Sequence, residues 1–269
     1  MRYRYNMMLL GVCLPMCLVL RALQLIFTID EKTGFIKQQY SSISVVITVV
    51  IFAGIAAVGL ICFASNGVTM KKKDKNLMLA ATSFLVGIVF ICDTAVQIFS
   101  MNISAWYDLI SMLLGLISAA VFIAFGVKKI YSYKFFDSLL TIPVFYYIVR
   151  LISVFVSTSE LALVTENIFL LFTNGALLFF MFEFAKVEND IDEKPKTRKI
   201  FSSGIIASML CMTQSVPKIA AYGGSMSPRD IVSSLLTFAV GLFVLSYIMS
   251  GFGDKSSDEN IHTAKHLSE

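Results

Sequence analysis

The chain has 269 residues, of which 57% are hydrophobic and only 15% charged, and its mean hydropathy is +0.78. Soluble domains carry about 45–50% apolar and about 25% charged residues, so this composition excludes an ordinary water-soluble enzyme. The charges are also gathered into short stretches between long apolar runs, which leaves no continuous water-facing surface to draw, and the chain reads as a polytopic membrane protein.

Crossing a bilayer core takes about 20 apolar residues as a helix, because the backbone must satisfy its own hydrogen bonds there. Windows of that length fall, in chain order, at 7–27, 43–64, 77–99, 106–127, 139–156, 164–184, 200–221 and 231–251. They are apolar on every face, whereas barrel strands alternate apolar with polar. The expected fold is therefore all-α, a bundle of eight transmembrane helices. The first run follows Arg2 and Arg4 as a secretory signal would, but Arg21 interrupts it and no small-residue cleavage site precedes Asp30. It is read as a retained first helix. Apolar content collapses near Asp254, so 253–269 is expected to be a disordered cytoplasmic tail.

Lysine and arginine are retained in cytoplasmic loops. Sixteen of the 22 fall on one side: Arg2 and Arg4; Lys71, Lys72, Lys73 and Lys75; Lys128, Lys129 and Lys134; Lys186, Lys194, Lys196, Arg198 and Lys199; and Lys255 and Lys265. The other side holds Lys32, Lys37 and Arg229. Both termini are thus expected to be cytoplasmic. Topology and the anionic inner leaflet account for the net charge of +4, so no nucleic-acid partner is implied and the expected partner is the lipid bilayer. Trp106 and Tyr107 at one boundary, with Tyr131 and Tyr133 at the other, read as interfacial anchors.

The five cysteines (Cys13, Cys17, Cys62, Cys92 and Cys211) all lie in expected spans, with neither disulfide nor metal spacing. The sequon Asn102-Ile103-Ser104 occupies a very short hairpin and carries no weight. Displacing the chain by 122 residues sets Asp108-Leu109-Ile110-Ser111-Met112-Leu113-Leu114 on Asp230-Ile231-Val232-Ser233-Ser234-Leu235-Leu236, and Pro15 with Arg21 is answered by Pro143 with Arg150. This suggests a 4+4 parallel internal repeat, with halves at 1–134 and 135–252, although Leu- and Ser-rich spans also align by composition.

Ionisable groups inside a span cost about 2.5–3.5 kcal/mol each on insertion scales and are functional hypotheses by default. There are four: Arg21, Asp93, Arg150 and Lys218. All fall on odd-numbered helices within about two turns of the outer end. Gln24 follows Arg21 at i+3, Gln97 follows Asp93 at i+4, and Gln214 precedes Lys218 at i−4, each extending a polar face. Three cations against one carboxylate suggest an outward-facing site for an anion or carboxylate. The alternative is a cluster that locks helices together, with Asp93 paired to one arginine and the other cations snorkelling.

Pro217 within Thr213-Gln214-Ser215-Val216-Pro217-Lys218 predicts a kink or break in the seventh helix. Asn174-Gly175 in the sixth suits close packing more than a cavity. Enzyme chemistry finds no motif. Asp93 has no deep carboxylate partner, since Glu166 and Glu183 lie near opposite ends of the sixth helix, and there is no H-E-x-x-H. His262 and His266 sit in a polar tail, and the run from Glu188 to Glu193 reads as a solvated acidic-basic loop. No cofactor or metal is implied.

Over nearly the whole chain the pattern resembles a group of uncharacterised eight-helix membrane proteins of anaerobic Gram-positive bacteria. The resemblance rests on Arg21 with Asp30-Glu31-Lys32-Thr33-Gly34-Phe35, on Arg150 with Ser157-Thr158-Ser159, and on Glu166-Asn167-Ile168-Phe169, where an Asp-Tyr pair is more usual than Glu-Asn. It implies the topology and a bacterial cytoplasmic membrane, and no activity. The expected function is non-enzymatic: binding or transport of a small solute from the extracytoplasmic side, or else a sensor or scaffold that docks a partner on its cytoplasmic face over 186–199.

Overall fold

The computed structural model describes residues 2–28, 40–65, 68–70, 75–99, 106–131, 137–160, 165–189, 197–224 and 226–254. They form eight long helices: α1 (Arg2–Thr28), α2 (Ser41–Ala64), α3 (Leu77–Phe99), α4 (Trp106–Tyr131), α5 (Ile142–Glu160), α6 (Thr165–Glu188), α7 (Thr197–Tyr222) and α8 (Pro228–Gly251). Each is long and apolar enough to cross a membrane, as expected from the apolar windows. The helices overrun those windows into polar sequence, α1 back to Arg2 and α6 on to Glu188, because helical backbone needs no apolar side chains once the terminal turns are satisfied. Asn76 accepts a hydrogen bond from the Leu79 amide (3.2 Å) at the start of α3, and Ser227, followed by Pro228, accepts one from the Asp230 amide (3.2 Å) at the start of α8.

Side-chain contacts fix the up-and-down order. Gln24 near the end of α1 reaches Ser44 near the start of α2, and the Tyr222 hydroxyl at the end of α7 donates to the Leu25 carbonyl (2.8 Å). At the opposite end the Tyr3 hydroxyl, near the start of α1, donates to the Met249 carbonyl near the end of α8 (3.1 Å). The ends are called here the cavity end, where α1, α3, α5 and α7 finish, and the basic end, which carries Lys128, Lys129, Lys186, Arg198 and Lys199.

The bundle is organised around α7, buried almost continuously from Ile200 to Pro217 and packed on α1, α2, α6 and α8. It is the least hydropathic of the eight, with four serines and three alanines beside Gly204 and Cys211. Small residues let helices approach where lipid offers no apolar contrast to drive them together. A Cβ on Gly241 of α8 would lie 2.7 Å from the Cβ of Cys211, so the missing side chain is what lets these two helices approach here. Ser202 of α7 donates to the carbonyl of Gly59 in α2 at 2.8 Å. The outer helices, by contrast, expose large apolar side chains such as Val12, Val46, Ile88, Leu113, Phe155 and Phe179, the surface a lipid solvent calls for; α7 exposes none.

Four expectations need correction. Of the kink or break expected at Pro217, the break is absent: α7 runs through to Tyr222, supported on its flanks by four neighbours. Gly175 does not meet another helix: a Cβ there would find nothing within 4 Å, and it lines an apolar groove with Leu151, Phe155 and Phe172, while Asn174 turns to its own helix and donates to the Leu170 carbonyl (2.8 Å). Gly253 and Asp254, placed in the expected tail, are instead strand: Phe252–Asp254 (β2) pairs antiparallel with Val68–Met70 (β1), anchored by Phe252 against the rings of Phe201 and Tyr247. Glu188 and Asn189, expected in a solvated loop, are packed, Glu188 being 4% exposed. The remaining tail (255–269, with His262 and His266), Tyr133, the sequon at 102–104 and the segment from Asp30 to Phe35 lie outside the described residues.

The packing does not establish the repeat: α1 packs on α2 and α3 on α4 as α5 packs on α6 and α7 on α8, but α7 also packs on α1, α2 and α6, whereas the other principal neighbour of α3 is α8.

Candidate binding cavity

Three of the four intramembrane charges line one cavity of about 150 Å³ at the cavity end of the bundle: Asp93 from α3, Arg150 from α5 and Lys218 from α7. Gln97 and Gln214, expected beside them, line it too. Helical spacing explains the grouping. Asp93 and Gln97, and Gln214 and Lys218, are each one turn apart on one face, so burying a face delivers both members.

Arg21 and Gln24 lie behind the wall. Arg21 is 1% exposed, donates to the Gln24 amide oxygen at 2.7 Å and stacks 4.0 Å from the Phe169 ring centroid. Gln24 in turn donates to the Ser44 carbonyl (2.9 Å) and the Thr48 hydroxyl (2.7 Å). These two side chains tie α1 to α2 and α6, and reach the cavity only through the carboxylate described next.

That carboxylate is Glu166, which the sequence reading set aside as a helix-end residue. It stands 2.8 Å from Lys218 Nζ through Oε2 and 3.8 Å from Arg21 Nη2 through Oε1, and it lines the cavity with Asn167. Arg229 and Asp230 at the exposed start of α8 form part of the rim, with Ser233 and Thr237 further in. The expected surplus of positive charge is therefore absent from the wall. Arg150, Lys218 and Arg229 face Asp93, Glu166 and Asp230, and the ionised lining sums to zero. The signal for Glu166 was its depth: an even helix starts where an odd one finishes, so the second residue of α6 is level with the last turns of α1 and α7.

Within this frame the wall charges differ in how they are used. Arg150 donates to the Ser233 hydroxyl at 2.8 Å, and Asp93 accepts from the Gln97 amide at 2.6 Å. Among the described residues no ion pair joins either of them to an opposite charge, so the pairing of Asp93 with an arginine is not found. Gln214, 6% exposed, has an amide oxygen with no hydrogen-bond partner. Glu166 Oε1 is likewise buried without a hydrogen-bond partner, so polar capacity is left over on this wall, where buried polar atoms are otherwise nearly always satisfied.

One turn below Asp93 and Arg150 the cavity gives way to aromatic rings. Phe90 meets Tyr146 edge-on at 5.0 Å, and a column continues through Phe122, Phe243 and Phe184 to Tyr247 at spacings of 5.0–5.9 Å. Edge-to-face contacts of this kind close-pack an apolar interior. At its far end the Tyr247 hydroxyl donates to Glu188, which also holds Lys129 (3.5 Å) and Lys128 (3.8 Å). Lys128 additionally pairs with Asp137 in the 3-10 turn that precedes α5.

No family model, curated protein or solved structure matches the chain, so the architecture and the cavity stand on their own: a polytopic membrane protein of eight candidate spans with a polar, charge-balanced cavity at one end.

Proposed function

We propose that this protein binds a small polar solute in the cavity from the extracytoplasmic side of a bacterial cytoplasmic membrane, as a carrier without catalytic chemistry. The observation that supports this best is the convergence of six ionisable side chains and an unpartnered glutamine on one cavity rather than on lipid. Structural ion pairs need no cavity, and charge at this depth is costly unless it is paired or used. The basic side chains at the other end support a cytoplasmic placing of that end and of both termini.

Transport requires the cavity to open toward the basic end, and the aromatic column from Phe90 to Tyr247 is the part that would have to rearrange. The closure of that column also favours a second reading, a sensor that binds from one side and signals through a partner on its cytoplasmic face. Cysteine placed at Thr237 or Asn167 in a background lacking the native cysteines separates these readings. Labelling by an impermeant thiol reagent from the cavity end is expected under all conditions, and from the basic end only in a transporter. Absence of labelling from the cavity end at both positions would end the binding reading. Reporter fusions at Lys73 and Tyr40 are expected to read inside and outside respectively, and the reverse would invert the orientation.

A further inference from the structure

We propose that the cavity selects a small zwitterion, a ligand carrying one carboxylate and one ammonium group, with Arg150 receiving the carboxylate and Asp93 receiving the ammonium. This rests on the reading of the cavity as a solute site and replaces the anion preference expected from the sequence.

The wall holds two kinds of charge. Glu166 is already ion-paired, with Lys218 at 2.8 Å and Arg21 at 3.8 Å, although its Oε1 accepts no hydrogen bond. Arg150 and Asp93 have only neutral partners among the described residues, a serine hydroxyl and a glutamine amide. A guanidinium has five N–H donors and a carboxylate about four lone-pair sites, so one bond to each leaves most of their capacity unspent. The two line one cavity with opposite sign. A pure anion that pairs with Arg150 is set against Asp93, and a pure cation that pairs with Asp93 is set against Arg150. Only a ligand with both signs satisfies both, and discrimination follows from the repulsion each single charge meets.

One further observation points the same way. The exposed rim carries both Arg229 and Asp230, so the mouth favours neither sign of net charge. Size limits the ligand: a cavity of about 150 Å³ accommodates a molecule the size of benzene, on the order of six non-hydrogen atoms. Alanine has that many.

The test is equilibrium binding to the full-length protein in lipid nanodiscs, with glycine, alanine, β-alanine and glycine betaine as zwitterions, propionate as the anion and isopropylammonium as the cation. At least one zwitterion is expected to bind about tenfold or more tighter than either single-charge probe, the discrimination of one charge-assisted hydrogen bond. In Asp93→Asn the zwitterion is expected to weaken by about the same factor while propionate strengthens, a gain that a misfolded protein cannot give. Propionate binding wild type as well as any zwitterion would overturn the proposal and leave the solute site standing. If no probe binds while Thr237→Cys is labelled from the cavity end, zwitterion selectivity falls alone. If no probe binds and neither Thr237→Cys nor Asn167→Cys is labelled there, both readings fall.

Discussion

The two ends of the bundle hold similar side chains in opposite arrangements. At the basic end Glu188 is surrounded by Lys128, Lys129 and Tyr247 and is 4% exposed, so its charge is met from several sides. At the cavity end Arg150 and Asp93 line open space and bond only to neutral groups. Both arrangements use charge inside a membrane protein. The first uses it to fasten α4, α6 and α8 together, and the second leaves it facing open space. Between them runs the aromatic column, so the ends are insulated by packed rings rather than joined by a polar path.

The contrast can be broken by substitution, with stability read by denaturant titration in detergent micelles. The largest effect is expected in the column. Phe243→Ala removes a ring packed on Phe122, Phe125 and Phe184 and should cost about 3–5 kcal/mol. A loss below about 1 kcal/mol would mean that the ends are not held apart by packing. Next, Glu188→Gln leaves the buried Lys129 ammonium without its carboxylate and should cost about 3 kcal/mol, at the low end for a broken buried pair because Lys128 keeps Asp137. Glu166→Gln is expected to cost about 2 kcal/mol, less because its side chain is 20% exposed and water relieves part of the lost pairing. Equal losses at Glu166 and Glu188 would make the two ends alike and reduce the cavity charges to fasteners. Lys218→Gln should be smallest, under about 1 kcal/mol, since the ammonium is partly exposed and Arg21 still faces Glu166.

Much of this was legible in the chain, and particular residues show why the rest was not. The eight spans followed from apolar length, and Asp93 with Gln97 or Gln214 with Lys218 from one-turn spacing, because both are properties of a single helix. Glu166 escaped because its partners, Lys218 and Arg21, are on two other helices, α7 and α1, and nothing local distinguishes a carboxylate aimed inward from one aimed at water. Lys129 and Glu188 were read as solvated charges for the same reason: they lie in helix-end sequence that looks like loop until α4 and α6 are packed together. The pairing of Val68–Met70 with Phe252–Asp254 joins segments too short and too ordinary in composition to announce a strand.

What the sequence by itself determined is therefore the class, the number of spans and the depth of each charge, since bilayer thickness and helical rise convert residue number directly into height. What only the tertiary structure decided is rotation about each helix axis and the choice of neighbours: that α7 is central, that Glu166 balances Lys218 and Arg21, and that Arg150 and Asp93 are left with neutral partners. Those depend on how small residues such as Gly241 and Cys211 let particular faces meet, a matter of packing among distant segments.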